Sequence, residues 1–336
     1  MSAAEWAGAY VSGHAVRGRA AADAALWPAE LAYRGVSAAR RAAYRRGLLR
    51  AHEPPIPVVS IGNLVLGGAG KTPVAAYIVR LLGELGARPA LVHGDYARDE
   101  PDLHRRWNPD APVIGDPSRI AAVRRAAQAG ADVAVLDDGF QHLALARSLD
   151  VVLVPAERWQ DAPRLLPRGP WREPPAALSR ADFVALTHRG ADERALAAAR
   201  SGVARVIGAP PGGDIVIEPA SWSPLGAPDQ TTADGPAGPA VAVCAIAHPE
   251  GFRSSATAAG CVVAELLGYR DHHEFTERDL DDIVAAASGR PVVTTEKDEG
   301  KLARLGQRVP VWVLRERVRV RRGSAALEDL LRRVVG

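Results

Sequence analysis

The chain has 336 residues, 47% of them hydrophobic, and a formal net charge of +3 at pH 7. That length and apolar content suffice for one large or two medium domains with full cores, and the near balance of charge excludes a general nucleic-acid binder. Cys244 and Cys261 are the 2 cysteines, which excludes a disulfide framework or a zinc site and predicts ordinary buried thiols.

Residues 1–55 form a basic helical segment. Arg34, Arg40, Arg41, Arg45, Arg46 and Arg50 share it with Tyr44, Leu48 and Leu49, a composition suited to lying on an anionic membrane surface or, on the plainer reading, a solvated helix face. No apolar run approaches the roughly 20 residues that span a bilayer. The first residues also lack the charged-then-apolar order of a secretory signal, so a cytoplasmic chain without a transmembrane span is expected.

A core of residues 56–218 begins with Val58 to Ile61, which reads as a buried strand, and Pro73 to Leu85, which reads as the following helix. Between them runs Gly62-Asn63-Leu64-Val65-Leu66-Gly67-Gly68-Ala69-Gly70-Lys71-Thr72. Glycines let successive N–H groups converge on phosphate oxygens, the helix N-terminus adds its positive dipole end, Lys71 supplies charge and Thr72 reaches magnesium. Gly67, Gly68, Ala69, Gly70, Lys71 and Thr72 are thus the predicted nucleotide contacts. The strict phosphate-loop pattern asks for glycine where the chain has Val65, so a glycine-rich turn that binds nothing stays open as the alternative.

Strand and helix then alternate: Pro89 to Val92 extended, Arg119 to Ala129 helical after Asp116-Pro117-Ser118, Val133 to Leu136, Val151 to Val154 and Phe183 to Leu186 extended, and Asp192 to Arg200 helical. That alternation predicts an α/β fold, a parallel sheet covered by helices. Residues 219–240 are dense in Pro, Gly, Asp and Thr and read as a linker or long loop. A second, smaller α/β lobe over 241–336 follows, with strands at Val241 to Ile246, Val262 to Leu266, Val292 to Thr295 and Val311 to Leu314. Its helices are Pro249 to Ala259 and Glu277 to Ala287, the latter capped by Thr276.

Four further clusters can carry chemistry. Asp137 and Asp138 end an apolar strand, where a nucleotide enzyme places oxygen ligands for magnesium, although aspartate is also common in ordinary turns. The proline-fixed loop Leu166-Pro167-Arg168-Gly169-Pro170-Trp171-Arg172-Glu173-Pro174 presents Arg172, a fork suited to phosphate, or is a surface loop with incidental charges. Asp271-His272-His273 offers a histidine beside a carboxylate, a general base or a polar loop. Thr294-Thr295-Glu296-Lys297-Asp298 is a site edge or a charged turn.

Taken in order, the glycine loop, Asp137-Asp138-Gly139-Phe140-Gln141-His142, the Leu-Pro-Arg-Gly-Pro-Trp-Arg-Glu-Pro loop, Asp271-His272-His273 and Thr295-Glu296-Lys297-Asp298 resemble the tetraacyldisaccharide 4′-kinases of lipid A biosynthesis, from about Leu26 onward. The resemblance implies a nucleotide-hydrolase type sheet with a phosphate loop, ATP and magnesium as cofactors, and phosphoryl transfer to the 4′-hydroxyl of a tetraacylated disaccharide 1-phosphate. It implies a peripheral enzyme, expected as a monomer, at the cytoplasmic face of the inner membrane. By the same resemblance Lys71 and Thr72 hold phosphate and metal, Asp137 and Asp138 sit at the magnesium, and Gln141, His142, Arg172 and Glu173 face the transferring group or the sugar. Asp99 and His272 activate the acceptor hydroxyl, with Lys71 as the catalytic cation.

The chain departs from the family before that aspartate. His93-Gly94-Asp95-Tyr96-Ala97-Arg98 runs straight into Asp99-Glu100-Pro101, without the family's intervening stretch and with Arg98 where it has glycine. A kinase of the same fold for another acceptor, and a nucleotide switch or metal-delivery protein, are the rival readings.

Overall fold

The computed structural model describes residues 19–94 and 99–336. The chain divides into two units. The first holds 19–94, 110–215 and 320–336, and the second holds 99–109 and 216–319, with the remaining residues of each division outside the described ones. Each unit thus collects distant stretches of sequence. The final helix belongs to the first unit, and 99–109 to the second, whereas the sequence pattern had assigned 241–336 wholly to the second lobe and 56–218 wholly to the core.

The first unit opens with the helix α1 (Arg19–Arg45). Strand β1 (Val58–Asn63) is fully buried, as its apolar run requires, and helix α2 (Lys71–Glu84) follows the glycine loop. Then come β2 (Pro89–His93), β3 (Val113–Gly115), α4 (Arg119–Gln128) with Ser118 as its N-cap, β4 (Val133–Asp137), β5 (Leu149–Pro155), β6 (Phe183–His188) and α5 (Glu193–Ile207). The label α3 is kept for the second unit's helix Asp99–Trp107. Strand order is β3-β2-β4-β1-β5-β6, with parallel pairing throughout. The two strands flanking β1 therefore leave a crevice at its carboxyl end, where ligands of open α/β sheets bind. One apolar cluster joins Ala122, Val123 and Ala126 of α4 to β1, β2 and β4, and another gathers Leu64, Val65, Phe140, Trp171 and Leu186 beside the glycine loop. Each such side chain contributes roughly 1.5–3 kcal/mol on burial.

In the second unit β7 (Gly213–Pro224), which starts in the first, is followed by β8 (Pro239–Cys244), α6 (Pro249–Ala258), β9 (Val262–Gly268), α7 (Glu277–Ala287), β10 (Val292–Thr295), α8 (Glu296–Leu305) and β11 (Val311–Arg322). Strand order here is β7-β11-β10-β8-β9, and the β11-β10, β10-β8 and β8-β9 pairs are parallel. Helix α9 (Ser324–Val335) closes the chain.

The expected linker over 219–240 is a strand for its first part. Trp222, fully buried, bonds Thr232 through both backbone groups, while Pro219 and Pro224 disguise the strand in the sequence. Cys244 and Cys261 are free and buried, and burial pushes the Cys244 thiol up to about 12. Among the described residues no helix is long and apolar enough to cross a membrane.

Candidate active site

The glycine loop bends where its glycines sit. Gly67 and Gly68 adopt φ 65° and Gly70 φ 77°, a left-handed region in which a Cβ is strained. Gly70 is the N-cap of α2. Arg158, half-buried, donates to the carbonyls of Leu66 at 2.7 Å and Gly67 at 2.8 Å, and the Thr187 hydroxyl donates to that of Ala69 at 3.0 Å. These three bonds satisfy the loop's carbonyls.

Val65 occupies the position where the strict pattern has glycine because the proline-fixed loop runs along this stretch. Leu66 N–H donates to Pro170 at 2.8 Å and Arg172 N–H to Leu64 at 2.7 Å, and Val65 bridges Trp171. Val65 is 1% exposed and packs with Trp171, so here a side chain is needed and a glycine would leave a void.

That same stitch places Arg172. Its Nη1 donates to both carboxylate oxygens of Asp138 at 2.8 Å, and Lys71 Nζ lies 3.9 Å from Asp138 Oδ1. Asp138 holds φ 64°, rare outside glycine and tolerated best by Asp and Asn; the following Gly139 has no room for a Cβ, which would meet Ser60 Oγ at 2.6 Å. Gln141 donates to the Asn63 carbonyl at 2.9 Å and to Glu173 Oε1 at 3.2 Å. Glu173, buried, also accepts from Arg180 at 2.8 Å and pairs with Arg41 of α1 at 3.2 Å. A buried carboxylate is tolerable only with such partners.

Helix α1 clamps the proline-fixed loop from outside. Glu30 accepts from Leu165 N–H at 2.8 Å, Arg34 at 2.8 Å and Arg168 at 2.9 Å, and Tyr33 hydroxyl donates to the Arg172 carbonyl at 2.9 Å. Burial raises the Glu30 carboxyl, but these bonds outweigh it and hold it below the usual range. Part of the arginine row is therefore consumed within the unit, through Arg34, Arg41 and Arg40, the last donating to the Gln141 carbonyl at 3.2 Å. Arg45, Arg46 and Arg50 are exposed, as are Trp27, Leu31, Val36, Leu48 and Leu49.

In the first unit, then, Lys71, Asp138, Gln141, Arg172 and Glu173 meet in one linked group, with Asp137 buried at the end of β4 beside it. His142 does not join it through any of these bonds. It is half-buried facing Arg119, Arg147 and Arg40, and burial first, then those cations, lowers its imidazole below the ordinary value.

The second unit holds the other predicted residues. Asp99 opens α3, with its side chain outside the described residues, as are 95–98, where the expected departure from the family pattern falls. His272 takes φ 59° and donates its N–H to the Ala245 carbonyl at 3.2 Å. Its ring is partly exposed and lies 3.2 Å from Lys297 Nζ. His273 is committed elsewhere: it stacks on Tyr269 at 5.0 Å and pairs with Asp279 at 3.0 Å, where Asp279 also forms the capping box of α7 with Thr276. The two histidines thus separate into one accessible and one packed.

Sequence reasoning missed Arg158, Arg180, Glu30 and Lys297. Arg158 and Arg180 lie outside any motif, whereas Lys297 sat inside one that the sequence left open as a site edge or a charged turn.

A family model described as tetraacyldisaccharide-1-P 4'-kinase, LpxK, matches residues 22–336. A tetraacyldisaccharide 4'-kinase of Anaeromyxobacter dehalogenans (strain 2CP-C) is 40% identical, with 93% of this chain and 90% of that protein covered. One of Halorhodospira halophila (strain DSM 244 / SL1) is 35% identical, with 86% and 87% covered. A crystal structure of LpxK from Aquifex aeolicus in complex with ATP is similar at a TM-score of 0.70 and 25% identity, covering 94% of this chain and 99% of that one.

Proposed function

Since the chain belongs to the tetraacyldisaccharide-1-P 4'-kinase family, we propose that it binds ATP in the glycine loop and transfers the γ-phosphoryl group to the 4′-hydroxyl of a tetraacylated glucosamine disaccharide 1-phosphate. The observation that carries this reading is the group at the mouth of that loop, where Lys71 and Arg172 converge on Asp138 at 3.9 and 2.8 Å. Phosphoryl transfer needs little covalent help from protein, and fixed cations beside oriented carboxylates supply the positioning and electrostatics it does need.

In this reading Gly67, Gly68, Ala69 and Gly70 offer backbone N–H groups to the phosphates, and Lys71 places its charge on them. Magnesium fits the donor set at hand: Thr72, Asp137 and Asp138 are hard oxygen donors. Among the described residues no group of three or more His, Cys, Asp or Glu side chains forms a ready-made cage, in keeping with an ion that takes one or two carboxylates and completes its shell with phosphate and water. When bound, it neutralises charge on the phosphate oxygens. Arg172, held by Asp138 and Gln141, is poised to exchange part of that contact for the transferring group, while Glu173 and Gln141 keep its loop in register. On the acceptor side, Asp99 and His272 are the pair that activates the hydroxyl, whose single proton passes to one of them as the oxygen attacks the γ-phosphorus. His142 faces the acceptor's anionic groups with Arg119 and Arg40 rather than the transferring phosphoryl.

The exposed Trp27, Leu31, Val36, Leu48 and Leu49 with Arg45, Arg46 and Arg50 support peripheral attachment of α1 and the segment after it to an anionic, cytoplasm-facing bilayer surface. This places the lipid acceptor beside the enzyme without a membrane span.

The test is transfer of label from ATP to tetraacyldisaccharide 1-phosphate in mixed micelles. The natural chain should give product, and Lys71→Ala should lose at least about two orders of magnitude in rate with its circular dichroism unchanged. Equal rates for the two, or no product while ATP still binds, would remove this acceptor from consideration.

A further inference from the structure

Thr295-Glu296-Lys297-Asp298 is the motif to which phosphoryl transfer has so far given no task. Thr295 and Asp298 build the second unit: the Thr295 hydroxyl caps α8 by accepting from Asp298 N–H at 3.2 Å, and Asp298, fully buried, accepts from Ala245 N–H at 2.9 Å. Glu296 reaches instead to helix α3. Its Oε1 accepts from Trp107 Nε1 at 3.1 Å and Arg315 Nη1 at 3.4 Å, and its Oε2 accepts from Glu316 N–H at 3.0 Å. One turn further along α8, Glu299 Oε2 accepts from Arg106 of α3 and, at 2.6 Å, from Arg315 Nη1, while its Oε1 accepts from Arg315 Nη2 at 2.9 Å. Arg315 Nε donates to Ser223 Oγ at 2.9 Å. Glu296, Glu299 and Arg315 are all buried.

Two carboxylates of α8 thus meet one guanidinium from β11, and α3 brings a second. Buried carboxylates are stable only with such cations and donors around them, so the cluster favours the docked helix. Helix α3 needs that docking in turn, because its 9 residues are too few to hold a helix in water unaided. One side of it is exposed and carries the Asp102–Arg105 pair at 2.9 Å; Leu103 and His104 are buried, and Arg106 and Trp107 bond α8.

Asp99 opens this helix and precedes Arg106 by two turns, about 10 Å along the axis. Rocking α3 by about 10° about its anchored end would carry the Asp99 backbone about 2 Å. A misplacement of about 1 Å at a reacting group can lower a rate by about 10²-fold.

We propose that Glu296 and Glu299 form the seat of the Asp99-bearing helix, and that Arg106 and Trp107 are positioning residues that hold Asp99 in place for acceptor activation. The proposal rests on the reading in which Asp99 activates the hydroxyl. Every contact it uses lies within the second unit, so losing one should leave ATP binding in the first unit unchanged.

The experiment measures lipid phosphorylation by full-length Arg106→Met, Arg106→Lys and Asp99→Ala, and by the double variant Asp99→Ala/Arg106→Met. Arg106→Met should lower kcat about tenfold to a hundredfold with KM for ATP held within about twofold. Arg106→Lys returns a cation to Glu299 and should recover most of that loss. On the Asp99→Ala background, Arg106→Met should cost less than about twofold more, because a misplaced aspartate and a missing one are the same defect. Equal fold-losses on both backgrounds, or full activity in Asp99→Ala beside a loss in Arg106→Met, overturn the proposal. The seat itself is read without activity, from fluorine spectra of fluorotryptophan-labelled protein with the Trp107 signal assigned through Trp107→Phe. That signal should move toward its solvent-exposed position in Arg106→Met, and an unmoved signal also overturns the proposal. If Arg106→Met fails to fold, Trp107→Phe, which keeps a ring and loses one hydrogen bond, replaces it in the cycle with an expected loss of about threefold to tenfold. A displaced Trp107 in a protein that phosphorylates no lipid would count against the function proposed above and leave the seat of α3 standing.

Discussion

The half proposed to hold the nucleotide, in the first unit, and the half proposed to activate the acceptor, in the second, are built in different ways. The first is backbone geometry written in contiguous stretches: positive φ at Gly67, Gly68 and Gly70, strand-like stitching of 64–66 to the proline-fixed loop, and a carboxylate at the end of β4. The second is assembled from side chains on α3, the loop after β9 and the start of α8, through Lys297 to His272, Glu296 to Trp107 and Glu299 to Arg106. A contiguous backbone site is fixed by local folding and tolerates little change in side-chain size. A site assembled from side chains depends on long-range contacts, and its chemistry shifts when one partner is lost.

The sharpest challenge to this contrast is Val65→Gly, which restores the strict phosphate-loop pattern. If the half were set by glycine content alone, the variant would bind ATP at least as well. The packing of Val65 on Trp171 predicts instead a loss of about 3 kcal/mol of stability, readable by urea unfolding, with no gain in ATP affinity. In the acceptor half, His273→Ala and His272→Ala should divide the two histidines. The first should lose about 1–2 kcal/mol in thermal unfolding, from its stacking on Tyr269 and its bond to Asp279, while keeping most activity. The second should lose activity with little change in stability, and the reverse pattern would exchange their roles. The smallest effect tests backbone against side chain at one residue. Asp138→Ala and Asp138→Gly remove the same carboxylate, but alanine pays for φ 64°, so the glycine variant should unfold roughly 0.5–1 kcal/mol later. Equal stabilities would mean that the left-handed turn relaxes.

The same contrast governs what could be read from the amino acids. The glycine loop, Asp137-Asp138 and the capped helices at Ser118, Asp192 and Thr276 were legible because local rules write them: glycine for positive φ, an oxygen side chain for an N-cap, an apolar run for a buried strand. Strand β11 was legible only to Leu314, since beyond it Arg315 to Arg322 alternates charge with valine, and those arginines find Glu299 and Glu218 from elsewhere in the unit. Strand β7 was hidden by Pro219 in its middle and Pro224 at its end, and α3 by its short, highly charged sequence. Of the proposed acceptor half, the residues alone left the His272 segment open as a general base or a polar loop and the Lys297 segment as a site edge or a charged turn; only family resemblance picked out His272. Nothing in the sequence separates His272 from His273, because stacking on Tyr269 is a tertiary fact.

The described chain passes between its two units between 94 and 99 and at 109/110, 215/216 and 319/320. No single cut therefore yields two self-contained pieces. A truncation that ends at the proline-rich stretch near 225–238 strips α9 from the first unit as well as most of the second, and a clone of the second lobe alone lacks the helix that carries Asp99. A protease nick in that stretch need not release either part. For anyone seeking the minimal kinase, the working unit of dissection is the insertion rather than the fragment: 99–109 and 216–319 are two inserts that belong to one unit, and they must be removed or exchanged together.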